Sequence, residues 1–322
     1  MRRVRMGVIG VGALGQHHAR LYGECEGVDV VGVFDRDAAR AAEIAGQVGT
    51  RAFASVEALA AEVDGLSVAV PTDLHYAVVK DLLERGRHVL VEKPITEKVA
   101  QAEALVAQAA QRGLVLQVGH VERYNPILSC LGEIPGEPRF IEAHRLAPYP
   151  PPRPGLRPRG TEVSVVLDLM IHDIDVVLSL VGCGVARAEG VGVPVLSRTE
   201  DIANARLVFA NGCVANLTAS RVSAERMRKI RVFKSRAYLS LDYQERKGEI
   251  AYLKDGGIVR QEVPAREGNA LKEEIADFCV CVRGCLDGQG VPEPRVSGQQ
   301  GLEALRVADR IMQSIAAGAL VQ

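Results

Sequence analysis

The 322 residues contain no apolar run approaching the about 20 positions a bilayer-spanning helix needs, so no membrane role is expected. Charge of one sign is not in excess either. Thirty-nine lysines and arginines face forty aspartates and glutamates, a net charge of −1 that gives no bulk attraction for nucleic acid or an anionic membrane surface. A cysteine framework is also missing. The seven cysteines (Cys25, Cys130, Cys183, Cys213, Cys279, Cys281 and Cys285) are odd in number and irregularly spaced, which fits a reducing cytoplasm better than a disulfide-stapled secreted fold. Cys279, Cys281 and Cys285 cluster, but within an expected helix, with no nearby histidine and no Cys-x-x-Cys pair. Buried free thiols are expected there, and no metal. Met1-Arg2-Arg3-Val4-Arg5 and the apolar run after it have the look of a signal peptide, yet a glycine-rich turn interrupts the run and a helical pattern follows. The segment reads as a strand. Internal repeats and low-complexity tracts are absent.

What is present suits a globular chain of about two domains: 48% hydrophobic and 25% charged residues over this length. Short apolar runs at 5–9, 28–34, 66–70, 88–91 and 114–118 alternate with alanine-rich helical patterns near 13–25, 37–47, 74–85 and 98–112. Strands apolar throughout are buried on both faces, which predicts an α/β domain over 1–121 with a doubly wound parallel sheet under helices. After Tyr124-Asn125-Pro126 the character changes. A Pro/Arg-rich stretch over 148–159 reads as a long loop or extended arm. Alternating residues in 213–220, an Asn211-Gly212 turn to 202–209, and strand patterns at 228–233, 237–242, 249–253 and 257–263 point to antiparallel pairing. With helices near 165–180, 270–285 and 298–316, residues 122–322 read as an α+β domain with a mostly antiparallel sheet, the last helix able to pack back on the first domain.

Gly10-Val11-Gly12-Ala13-Leu14-Gly15 follows the first strand and opens a helix. In that context Gly10 permits the tight turn, Gly12 lets backbone amides approach a pyrophosphate, and Gly15 allows close helix–strand packing. The helix N-terminus adds partial positive charge. Asp35, twenty positions after Gly15 at the end of the second strand, can accept hydrogen bonds from an adenosine ribose. Its carboxylate would repel a 2′-phosphate, favouring NAD over NADP, although the adjacent Arg36 could attract that phosphate. Pro71, Thr72, Leu74 and His75 follow the next strand at the ligand crevice; cofactor contact competes there with helix capping by Thr72 or Asp73.

Glu92-Lys93-Pro94 also leaves a strand at the carboxyl edge. Pro94 restricts Lys93 to extended conformations. A lysine beside an oxidised nicotinamide meets a like charge, which suits it to proton transfer or hydroxyl polarisation. In the second half, Asp168, His172 and Asp175 have i, i+4, i+7 spacing and form one polar stripe on a helix whose apolar face is Leu167, Ile171, Ile174 and Leu178. Such a stripe lines a pocket or is a solvated or structural Asp–His pair. Asp173 lies off it, and Asp175 reads as structural.

These motifs in this order resemble the Gfo/Idh/MocA oxidoreductase family over essentially the whole chain. The resemblance implies a Rossmann domain followed by an α/β domain whose large open sheet forms oligomer interfaces, hence a homodimer or homotetramer. It implies Lys93 and His172 as the catalytic pair with Asp168 assisting, and hydride transfer between a sugar or polyol carbon and the nicotinamide. Gly119-His120-Val121-Glu122-Arg123-Tyr124-Asn125-Pro126 and Asp168-Leu169-Met170-Ile171-His172-Asp173-Ile174-Asp175 look most like members that oxidise the 3-hydroxyl of UDP-N-acetylglucosamine; the alternatives are a free polyol such as an inositol, or an NAD-sensing regulator. His120, Arg123 and Tyr124 would then lie near the sugar, with packing the competing role for Tyr124. Arg153, Arg157 and Arg159 could meet a diphosphate, or form a solvated arm.

Overall fold

The structure is a computed structural model that describes residues 2–134, 136–151, 160–263 and 267–319. It divides into two compact units, Met1–Val121 with Asn269–Leu302, and Glu122–Gly268 with Glu303–Gln322.

The first unit runs β1 (Val4–Ile9), α1 (Gly15–Tyr22), β2 (Val28–Phe34), α2 (Ala38–Val48), β3 (Arg51–Ala52), α3 (Val56–Glu62), β4 (Gly65–Val68), α4 (Thr72–Glu84), β5 (His88–Glu92), α5 (Val99–Arg112) and β6 (Leu116–Gly119). All six strands are parallel, in the order β3-β2-β1-β4-β5-β6. Every residue of β4 and β6 is buried, as two helix-covered faces require. The strand order reverses between β1 and β4, so the loops after β1, β4 and β5 emerge at the crevice where α/β sheets bind ligands. β3 and α3 have no counterpart in the sequence reading. Two exposed strand residues and a seven-residue helix are too short to raise a periodic signal.

The chain continues through α6 (Cys130–Glu133), β7 (Pro138–Leu146), α7 (Ile171–Val181), β8 (Val185–Val193), β9 (Ile202–Phe209), β10 (Val214–Ser220), β11 (Met227–Lys234), β12 (Ala237–Asp242), β13 (Lys247–Lys254), β14 (Gly257–Val263), α8 (Ala270–Leu286) and α9 (Gly298–Ala319). The second sheet has eight strands, β14-β13-β12-β11-β7-β10-β9-β8, antiparallel at every step except β7–β10. The buried positions on β9 and β10 are Ala203, Ala205, Leu207, Phe209, Ala215, Leu217, Ala219 and Ser220, and α7 packs against β10 and β7. The expected turn is present, with Gly212 at φ +82° and the Cys213 N–H donating to Asn211 Oδ1 at 3.0 Å.

Two features differ from the sequence reading. β7 and β8 were not anticipated: β7 opens on proline and turns the charged Arg145 inward, while β8 is an edge strand rich in glycine and alanine. The boundary at 121 assigned α8 to the second domain, yet Ile275, Phe278, Cys279 and Val282 share a core with β1, α1 and β2. Apolar periodicity shows that a helix buries one face but not which sheet receives it. All seven cysteines are free thiols. Among the described residues no helix is long and apolar enough to cross a membrane, and no group of three His, Cys, Asp or Glu side chains is placed to hold a metal.

Candidate active site

The glycine loop separates into positions the protein needs and one it leaves open. Gly10 has φ +82°, and a Cβ there would stand 2.8 Å from the Ala69 carbonyl oxygen. On Gly15 a Cβ would be 1.8 Å from the Gly10 carbonyl oxygen. On Gly12 it would meet nothing within 4 Å. Chain packing therefore accounts for Gly10 and Gly15, whereas the space over Gly12 fits a ligand pressed against the backbone. Ala13 and Leu14 complete the turn, and α1 starts with no side-chain cap and no acid in its first turn, as an anion-binding helix N-terminus requires. Asp35 ties the loop to β2: Oδ2 accepts the Val11 N–H at 2.8 Å and Oδ1 the Asp37 N–H at 2.9 Å. Arg36 is exposed. The sequence reading missed Arg40, whose Nε donates to the Val11 carbonyl at 3.1 Å and whose Nη2 donates to Gln16 at 2.9 Å. Its only sequence signal is its place in the first turn of α2, five residues after Asp35.

Lys93, half-buried, follows β5, and the Lys93–Pro94 peptide is cis. Glu92 Oε1 lies 3.0 Å from His18 Nε2, and His18 Nδ1 lies 3.0 Å from Ser67 Oγ. Burial pushes the Glu92 carboxyl up, but His18 and then Lys93 outweigh it and hold the group below the usual carboxylate range. His75 Nδ1 lies 2.9 Å from the Pro94 carbonyl oxygen and Nε2 3.0 Å from that of Val70. Burial lowers the His75 pKa against the pull of those carbonyls. Both ring nitrogens thus face the chain itself, a role for His75 other than the expected cofactor contact. α4 begins at Thr72 with Pro71 at its cap position and no side-chain cap, so the capping role weighed for Thr72 and Asp73 is not used; Leu74 is exposed.

In the second unit Asp168 sits in a π-helical turn, Val166–Met170, that leads into α7, and His172 lies in the first α turn. A widened turn of this kind is common where side chains are aimed at a site. Gly160, at φ +84°, backs onto Asp168: a Cβ would fall 2.3 Å from Oδ2. The rest of the stripe is structural. Asp175 is buried with Oδ1 3.3 Å from Arg123 Nη1, and burial pushes its pKa up to about 7 against the pull of Arg123. Asp173, one residue past His172, is paired with the buried Arg145 at 2.9 and 3.1 Å, and Arg145 also donates to Glu122 at 3.0 Å. Of the residues expected near substrate, Arg123 holds Asp175, while Tyr124 and His120 are buried. For Tyr124 this favours the packing role. Arg153, Arg157 and Arg159 lie outside the described residues. Arg221, also missed, is buried and donates from Nε to Asp201 at 2.8 Å and from Nη1 to the carbonyls of Gly160 and Val163, pinning the segment that backs Asp168.

Residues 4–120 match the oxidoreductase family with an NAD-binding Rossmann fold, and residues 132–240 match the GFO/IDH/MocA C-terminal domain. A curated relative, UDP-N-acetylglucosamine 3-dehydrogenase of Acidithiobacillus ferrooxidans, is 40% identical over 285 residues, 86% of this chain and 88% of the relative. The chain belongs to the Gfo/Idh/MocA oxidoreductase family. A solved structure of the A. ferrooxidans enzyme aligns with 98% of this Gfo/Idh/MocA chain and 99% of its own, with a TM-score of 0.88 and 37% identity. Scyllo-inositol 2-dehydrogenase (NAD(+)) of Bacillus subtilis is a more distant relative, 27% identical over 69% of this chain and 68% of its own. Family membership makes the first unit an NAD(P)-binding domain, and the open space over Gly12, the uncapped α1 terminus and Asp35 fit that dinucleotide.

Proposed function

We propose that this protein oxidises the 3-hydroxyl of UDP-N-acetylglucosamine to a ketone, with NAD as the acceptor. Similarity along most of its length to a UDP-N-acetylglucosamine 3-dehydrogenase carries the substrate assignment. NAD over NADP rests on Asp35, which keeps a carboxylate at the end of β2, and on Arg40, whose guanidinium is engaged by Val11 and Gln16. Gly10, Gly12, Ala13, Leu14 and Gly15 cradle the pyrophosphate.

When bound, NAD supplies the hydride acceptor. His172 takes the proton of the sugar hydroxyl, and Asp168, one turn earlier, stabilises the imidazolium that forms. The Lys93 ammonium polarises the same oxygen as it gains negative charge. Replacing a general acid–base group typically costs about 10²–10⁴ in rate. Lys93→Ala and His172→Ala should lose turnover on that scale while still binding NAD; full activity in both variants refutes the assignment.

A homodimer or homotetramer built on the outer face of the second sheet belongs to the same reading. The tilted rings of Phe140, Phe233 and Tyr238 meet across neighbouring strands of that face with centroids 5.6 and 5.0 Å apart, and Leu253 and Ile258 on β13 and β14 are 61% and 72% exposed. Isolated monomers in sedimentation at micromolar concentration would contradict this. The seven free thiols fit a reducing cytoplasm.

A further inference from the structure

Both neighbours of Lys93 are gripped by buried histidines. On one side Glu92 meets His18 at 3.0 Å; His18 meets Ser67 at 3.0 Å, and Ser67 meets the Tyr22 hydroxyl at 2.6 Å. On the other side the Pro94 carbonyl meets His75 at 2.9 Å, and the same ring meets the Val70 carbonyl at 3.0 Å. Each ring is 1% exposed. The gripping groups come from α1, β4, the loop after β4, and α4, so three elements and a loop of the first unit converge on a three-residue segment.

We propose that His18 and His75 are positioning residues for Lys93, acting through Glu92 and Pro94 to set where its ammonium stands. The proposal rests on the functional reading above for what that ammonium does.

Filling space alone would be served at least as well by apolar side chains, because a buried imidazole loses hydration that only well-placed partners restore. The partners here have a direction. Glu92, held as a carboxylate, can only accept, so His18 donates to it from Nε2; a neutral His18 ring then accepts at Nδ1 from the Ser67 hydroxyl, which in turn accepts from Tyr22. The chain ends on a carboxylate adjacent to the lysine in sequence, and the two charges attract. His75 differs, because both its partners are carbonyls, which only accept: a neutral ring donates to one of them, and the imidazolium, which burial disfavours, to both. The ring lies between the turn after Lys93 and the loop after β4 at Val70, the two neighbouring loops of the crevice edge. Displacement of a reacting group by about 1 Å costs about a hundredfold in rate.

The test compares His18→Leu, His18→Gln, His75→Phe and the milder Ser67→Ala, which removes the donor to His18 and keeps the proposal testable if a bulkier change prevents folding. Steady-state turnover of UDP-N-acetylglucosamine, NAD affinity and thermal midpoint are measured together. His18→Leu and His75→Phe should lower kcat about ten- to a hundredfold with KM and NAD affinity within about threefold. His18→Gln, whose amide can reach Glu92, should recover most of the loss, and Ser67→Ala should lower kcat several-fold. In parallel, lysines are reductively methylated with ¹³C and the Lys93 resonance, assigned by its loss in Lys93→Arg, is followed against pH. A shifted or differently titrating Lys93 signal in the variants supports the proposal even if no sugar is turned over by the wild type, an outcome that sinks only the functional reading. An unchanged Lys93 signal in folded variants overturns it, as does loss of kcat in strict proportion to lost NAD binding.

Discussion

Alanine at Gly12 and at Gly15 should fail for opposite reasons, which tests the reading of the nucleotide loop without reference to any sugar. At Gly12 the new methyl meets no protein atom within 4 Å, and the residue has no positive φ, so the fold should tolerate it. Stability should be unchanged or higher by up to about 1 kcal/mol, since alanine restricts the unfolded chain more than glycine. The same methyl stands where backbone must approach a pyrophosphate, so NAD affinity should fall by about a hundredfold or more, about 3 kcal/mol. At Gly15 the methyl would be 1.8 Å from the Gly10 carbonyl oxygen, a backbone clash that rotamer change cannot relieve. Overpacking typically costs about 1–3 kcal/mol, and a main-chain collision belongs at or above the upper end. A fall of about 6–12 °C in the thermal midpoint is expected from about 3 kcal/mol. Thermal unfolding without cofactor and calorimetric titration with NAD read the two quantities separately. Wild-type NAD affinity in Gly12→Ala, or equal destabilisation by the two changes, would refute the reasoning.

Asp35→Ser removes the charge that opposes a 2′-phosphate and should move the ratio of NADP to NAD affinity by about tenfold toward NADP; an unchanged ratio in titrations with both cofactors argues against the ribose role. Arg145→Met leaves the buried Glu122 and Asp173 without their shared cation and should cost about 3–5 kcal/mol in denaturant unfolding, whereas a loss below about 1 kcal/mol would contradict the ion-pair account. Burial pushes the Asp175 carboxyl from its ordinary value of 3.8 up to about 7, so between those values the native state holds a proton that the unfolded state releases. Stability should therefore decline as pH rises through that window, by up to about 4 kcal/mol at about 1.4 kcal/mol per unit. Asp175→Asn should flatten that slope; a wild-type stability that instead rises across the window would reverse the sign.

Much of the fold was legible because its signals are local. The strand–glycine turn–helix at the start, the carboxylate at the end of β2 and the lysine after β5 are contiguous patterns; β10 falls where residue alternation puts it, and β9 and β12 where the turn and the strand pattern do. What escaped depends on distant partners. β7 hides its periodicity behind Arg145, whose inward charge makes sense only once Asp173 and Glu122 are beside it. Helical spacing placed Asp168, His172 and Asp175 on one stripe, but not the π turn at Asp168 nor the buried pairing of Asp175 with Arg123. His75 was visible as a crevice residue, and nothing local shows that both its nitrogens face carbonyls at positions 70 and 94. His18 carried no signal at all, since its carboxylate partner lies 74 positions away.

The central claim is most directly tested by incubating purified protein with NAD and, in separate samples, UDP-N-acetylglucosamine, inositol and free sugars, following NADH by absorbance and the sugar by mass spectrometry. The account predicts NADH together with a UDP sugar lacking two hydrogens, and neither with the free compounds. NADH from inositol or a free sugar with an untouched UDP sugar would contradict it, as would a UDP-N-acetylglucosamine sample in which neither product forms.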